Sequence, residues 1–203
     1  HKSEEVSKAE RDKLKMQRKV VLRERRSQVI TYIAFAFIMA EMAAGTWVPI
    51  ALTNSGFTPA SAAFALSIFW VIATVTRLFG GLLVDAVGRY RTVQISAAVS
   101  VVGFAVFMSQ NIIGLPYLGL ILWGAGMAIG FPMAVSAMGD DPAWSAARIN
   151  MAVGVVYIAS MTVGPALGAV GQLFGIYTSF IIPMLIMALA FKLSAATKPL
   201  QKS

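Results

Sequence analysis

The sequence predicts an all-α membrane protein of six transmembrane helices, on three observations. First, 58% of its 203 residues are hydrophobic and the mean hydropathy is +0.73. Second, charge is crowded into one end: of 17 Lys+Arg and 9 Asp+Glu, ten basic and five acidic residues precede Ser27, leaving eleven charges for the rest of the chain. A water-soluble domain cannot cover its surface with so few. Third, six apolar runs alternate with short polar connections, and only a helix satisfies its own backbone within one such run.

The segment 1–27 comes first and reads as a basic cytoplasmic linker. Its Glu/Asp and Lys/Arg recur at turn spacing, which predicts a helix in part, solvated and lying near anionic headgroups. The membrane part, 28–194, follows as spans of about 29–52, 60–84, 92–108, 112–138, 149–170 and 176–193, with 195–203 as a cytoplasmic tail. Each run approaches the roughly 20 residues needed to cross about 30 Å of hydrocarbon. Connections are punctuated by Asn54-Ser55-Gly56, Gln110-Asn111, Asp140-Asp141-Pro142 and the stretch from Gly171 to Gly175. Thr58-Pro59 and Asp141-Pro142 each predict a capped helix start with proline at the first position.

Basic residues set the orientation. Ten precede the first span, Arg89 and Arg91 join the second to the third, Arg148 opens the fifth, and Lys192, Lys198 and Lys202 end the chain. With 16 of 17 on one side, the positive-inside rule places both termini in the cytoplasm. The same distribution turns the +8 net charge into a topology signal and argues against nucleic-acid binding. No cysteine is present and the one histidine is His1, so thiolate metal sites, disulfides and His-based triads have no raw material. No metal or cofactor is expected, and no enzyme activity. Without an initiator Met, the chain is expected to begin inside something larger.

Two charges fall within the spans. Glu41 sits near the middle of the first, where an acid must be neutral or partnered, and it becomes a proton carrier if water reaches it from alternate sides. Arg77 is the exceptional base, expected beyond its helix midpoint toward the cytoplasm and too far in depth from Glu41 for a direct bridge to be assumed. Ser67, Trp70, Thr74 and Arg77 follow at helical spacing and share a face that lipid would not tolerate. In the fourth span Trp123, Met127 and Gly130 share a face ahead of Pro132; in the fifth, Asn150, Gly154 and Tyr157 do the same ahead of Gly164-Pro165. Such faces suit either close helix packing or contact with a sugar-like solute. With Trp47, the candidate solute contacts are Ser67, Trp70, Thr74, Arg77, Trp123, Met127, Asn150 and Tyr157.

The stretch from Arg77 to Arg91 resembles the signature loop of the major facilitator superfamily, G-x-L-x-D-(R/K)-x-G-R-(R/K), at Gly81, Leu83, Asp85, Gly88, Arg89 and Arg91. Ala86 replaces the basic residue after the acid, and Tyr90 separates the arginines. Ala40 to Trp47, Leu122 to Pro132 and Gly164 to Gly168 resemble the seventh, tenth and eleventh helices of fucose-permease-like bacterial members, although Thr46 stands where an acid often precedes the Trp. The resemblance implies one half of a transporter, built as two three-helix inverted repeats, that faces an N-terminal six-helix half in the same polypeptide or a separate chain. It implies proton-coupled alternating access for a small polar solute, a sugar among the candidates, across the bacterial cytoplasmic membrane. Glu41 would carry the proton, and Gly81, Asp85, Gly88, Arg89 and Arg91 would form the gating loop. Two alternatives stay open: an anion exchanger or efflux carrier using Arg77, and a non-transporting subunit or sensor on the same scaffold.

Overall fold

A computed structural model describes residues 15–109 and 114–200. The linker before residue 15, the connection at Gln110-Asn111, the start of the fourth run at Ile112, and Lys202 lie outside the described residues. Those that are described form helices joined by turns: α1 (15–21), α2 (Arg25–Asn54), α3 (Pro59–Met108), α4 (Leu115–Met127), α5 (Gly130–Met138), α6 (Ser145–Phe174), α7 (Ile176–Ser179), α8 (Ile181–Leu193) and a closing 3₁₀ turn, Ser194–Thr197.

Helix α3 is 50 residues long, or roughly 75 Å at 1.5 Å per residue, more than twice the hydrocarbon thickness. It crosses twice because it breaks at Gly88, whose φ of 80° and ψ of 158° belong to a backbone region that only glycine occupies cheaply. The expected polar loop from Asp85 to Arg91 is therefore two helical arms meeting at one residue. Thr58 caps the first arm as expected: its Oγ1 accepts from the Ser61 N–H at 3.2 Å, with Pro59 at the first helical position. Asp141 does not cap α6. Its Oδ1 accepts from the Ala143 N–H at 3.0 Å in a local turn, and the helix begins only at Ser145.

The fourth span divides into α4 and α5 at Ala128-Ile129. Pro132 supplies the cause: it has no N–H to offer the carbonyl four residues back, that of Ala128. The sixth span likewise divides at Phe180, three residues before Pro183. Counting both arms of α3 and joining these pieces gives six crossings.

Helix α2 is the most buried span and packs against α6, α5 and α8, while α4 lies along α3. Within hydrocarbon, helices associate through close packing more than through hydrophobic burial. Gly103 and Gly126 show how close: a Cβ on Gly103 would overlap the backbone of Trp123, and one on Gly126 the backbone of Ser100. Between these contacts lies an aromatic core, with Trp123 4.1 Å from Phe104 and within 6 Å of Phe69, Phe107 and Phe180, ring centre to ring centre.

Candidate functional site

Three crossings converge on the intramembrane charges. Counted from the hairpin that joins α2 to α3, Arg77 lies about five residues deeper than Glu41, or ~7.5 Å. An extended arginine and a glutamate together span that gap. Arg77 Nη2 donates to Glu41 Oε1 at 2.9 Å, with the side chains 38% and 16% exposed. This corrects the expectation that depth separates them: the count along the helix axes left out side-chain reach. Arg77 Nε donates to the Ala128 carbonyl at 3.2 Å, the very oxygen that Pro132 leaves without an intrahelical donor. A proline in α5 thus provides the acceptor that holds a guanidinium from α3 beside an acid from α2. The signal was in the sequence as Ala128 four residues before Pro132.

The stripe on α3 surrounds this pair. Ser67 and Thr74 are exposed, and their hydroxyls donate to the carbonyls of Ala63 and Trp70 one turn back, leaving oxygen lone pairs outward. Trp70 is half-buried against Phe69 and lies next to Gly45, one turn along α2 from Glu41. Glu41, Trp70, Thr74 and Arg77 form one amphipathic wall, with Thr74 and Arg77 exposed and Glu41 and Trp70 partly buried.

The other predicted solute contacts lie elsewhere. Trp123 and Met127 are at most 1% exposed; they belong to the core and form no part of the wall. The reason is packing, since the glycines around them bring α3 so near that the indole fills the space between helices. Trp47 lies beside Gly168, lining a cavity of about 380 Å³ with Asn54 and Gln172, and its Nε1 is buried without an acceptor. Asn150 and Tyr157 are exposed on α6, Tyr157 at 68%.

The signature segment also departs from expectation. Among the described residues, Asp85 and Arg91 are exposed and make no ion pair. Arg89 turns instead to Asp140, donating through Nη1 to Oδ1 at 2.7 Å and through Nη2 to Oδ2 at 2.6 Å. On an unbroken helix residues 85 and 89 would be neighbours, but the Gly88 break swings the second arm away. Arg26 Nη2 joins the same carboxylate at 2.8 Å. Burial raises the Asp140 pKa, but hydrogen bonds and charge from Arg89 and Arg26 outweigh it, leaving the group below its ordinary 3.8. Arg89 Nε also holds the Thr197 carbonyl at 2.7 Å, Arg26 the Lys198 carbonyl at 3.0 Å, and the Lys198 ammonium lies 4.9 Å over the Tyr90 ring.

A second ion pair stands nearby. Arg148, 8% exposed, forks onto both oxygens of Glu24 at 2.8 and 3.0 Å. Burial raises the Glu24 pKa, while bonds from Ser27 and Arg148 and the charges of Arg148 and Arg26 bring it below 4.5. Asp140, Glu24, Arg26 and Arg148 were read in the sequence only as turn residues and topology charges. The clue was that acids set among so many cations must find partners.

Six apolar crossings around an intramembrane acid–base pair, with ion pairs gathered at one end, define a multi-pass membrane protein built as a helical bundle. Residues 1–142 match the family model of the Major Facilitator Superfamily, and the chain belongs to that family. An uncharacterized MFS-type transporter of Yersinia pestis is 24% identical over 172 residues, which are 83% of this chain and 45% of that protein. Among solved structures, the E. coli fucose:proton symporter FucP aligns with a TM-score of 0.76 at 20% identity, over 90% of this chain and 45% of its own. The POT family transporter PepTSo gives 0.76 at 19%, over 88% and 40%. At these identities the structural likeness is one of fold. The chain spans less than half the length of each of these relatives.

Proposed function

We propose that the chain is one half of a secondary transporter that moves a small polar solute with protons, by alternating access, across a bacterial cytoplasmic membrane, both termini on the cytoplasmic side. The observation that carries the reading is the Glu41–Arg77 pair, set between apolar spans on an amphipathic wall and braced by the Ala128 carbonyl. An ionised acid is stable there only beside its base. Protonating Glu41 removes the attraction and frees an Arg77 donor for the solute, with Trp70 and Thr74 beside it; loss of the proton restores the pair and expels the solute. A six-helix companion, in the same polypeptide or another chain, closes the other side of the cavity, with Asn150 and Tyr157 facing it across α6. The Gly81, Asp85, Gly88, Arg89 and Arg91 segment then gates the basic end through the contacts of Arg89. A fucose:proton symporter among the structural relatives supports the solute class and the coupling ion.

A membrane potential supplies about 2.3 kcal/mol per charge per 100 mV, enough for roughly fifty-fold accumulation. In vesicles holding both halves, Glu41→Gln is expected to abolish proton-driven accumulation while solute exchange continues. Undiminished accumulation removes Glu41 from coupling. A second reading, an anion carrier, draws on the 38% exposure of the Arg77 side chain. Comparing Arg77→Lys with Arg77→Ala across charged and neutral solutes separates the two, and binding of neutral sugars without anions ends the anion reading.

A further inference from the structure

Helix α1 and the turn after it are fastened across the start of α6. Gln17 Nε2 donates to the Ala143 carbonyl at 3.0 Å, Val21 is buried, and Glu24 accepts the Arg148 fork. That fork uses only Nε and Nη2 of the guanidinium. Its Nη1 is buried without a hydrogen-bond partner, 3.9 Å from Asp141 Oδ2. Asp141 has that oxygen to spare, because its Oδ1 takes the Ala143 N–H. Closing by about 1 Å would turn the Asp141 contact into an ordinary charge-assisted hydrogen bond. Glu24 has a fallback as well: Ser27 Oγ donates to its Oε2 at 2.7 Å from one turn further along the same backbone, so that bond travels with it. Breaking a buried pair is costly when a partner is left uncompensated. Here neither partner is.

We infer that residues 15–24 form a strap with two positions: clasped, with Arg148 forked onto Glu24, and released, with Arg148 closed onto Asp141 and α1 lifted from α6. A switch of this kind needs a local exchange of partners joined to an element that can move. Here the moving element is one short helix, and the turn at Leu22-Arg23 is its hinge. Arg26 keeps Asp140 and the Lys198 carbonyl in both positions, so the bundle end beyond the hinge stays assembled. Tension on the chain ahead of α1 is thereby passed to α6, the helix that carries Asn150 and Tyr157. The strap rests on contacts within this chain and stands whether or not Glu41 carries protons.

Hydrogen–deuterium exchange of the chain together with its companion half reads the strap through the amides of Leu22, Arg23 and Glu24, which donate to the Arg18 and Val20 carbonyls. Off its support this end of the helix loses the packing that protects it. Glu24→Gln should speed exchange there about tenfold and Gln17→Ala about threefold, with α2 amides unchanged as the check that the bundle remains folded. Asp141→Asn should instead slow it about threefold, because the released position loses its acceptor. That sign belongs to the switch alone, since an Asp141 with a merely structural role would speed exchange or leave it unchanged. Three results would overturn the strap: wild-type exchange in this segment as fast as in an unfolded peptide, indifference to both Glu24→Gln and Gln17→Ala, or exchange in Asp141→Asn that is unchanged or faster. The first would show α1 undocked in the two-half protein, the second would separate docking from these contacts, and the third would remove the second position.

Discussion

Removing the Asp140 carboxylate should destabilise the basic end of the bundle more than any other single charge change. Asp140 is 14% exposed and accepts three guanidinium N–H groups, two from Arg89 in a fork and one from Arg26. Breaking a buried pair costs about 3–5 kcal/mol, because the partner is left charged and uncompensated. Here the orphans, Arg89 and Arg26, are 11% and 21% exposed, so water recovers part of the loss and about 2–3 kcal/mol is expected for Asp140→Ala. Asp140→Asn keeps one acceptor oxygen and should lose about half as much, whereas Arg26→Ala leaves the fork intact and should cost about 1 kcal/mol. Thermal unfolding in detergent, with the Asp140→Ala/Arg89→Ala double variant completing a cycle, measures these quantities. Strict additivity of the two single effects, or a loss for Asp140→Ala below about 0.5 kcal/mol, typical of an ordinary surface substitution, would refute the reasoning.

Four further outcomes rest on the same packing and charges. Because the pKa values of Asp140 and Glu24 are lowered on folding, their stabilisation is complete above the ordinary values of 3.8 and 4.5 and is lost as pH falls through the folded ones. A pH series of unfolding midpoints should therefore drop below about pH 4.5, less steeply in Asp140→Asn. Gly126→Ala forces a Cβ onto the Ser100 backbone and should cost about 1–3 kcal/mol or more, while Gly81→Ala, which meets open space, should stay within about 0.5 kcal/mol of wild type on the same scan. Gly88→Ala puts a side chain at φ 80° and should cost about 1–3 kcal/mol by denaturant titration. Pro132→Ala returns an intrahelical donor to Ala128, so it should couple with Arg77→Ala by at least about 0.5 kcal/mol in a double-mutant cycle; zero coupling would sever the link between that proline and Arg77.

The crossings were legible because hydropathy and charge act over whole segments. Run lengths sufficed to find six helices, and Gly88 was visible as a likeness to a known signature. What escaped the sequence were contacts set by three-dimensional approach. Glu41 and Arg77 were kept apart by counting along helix axes, when their side chains bridge the difference. Trp123 and Met127 were candidates for a cavity face because a Gly-rich stripe fits solute contact as well as the commoner close packing; only the distance between α3 and α4 decides. Arg89 was legible only as a member of the signature segment, and its partner Asp140 lies 51 residues on, across a loop the sequence does not bring near. Ala128 carries no side-chain chemistry at all, and its role comes from what Pro132 lacks.

The grip of Arg89 and Arg26 on the Thr197 and Lys198 carbonyls bears on how the polypeptide tolerates cutting and fusion. Deleting everything from Ser194 onward would strip two main-chain acceptors from guanidiniums that also serve Asp140, so shortening at this end acts on the loop between α5 and α6 at a distance. A fluorescent reporter or purification handle is better attached after Leu200, beyond the last anchored carbonyl, than grafted directly onto α8.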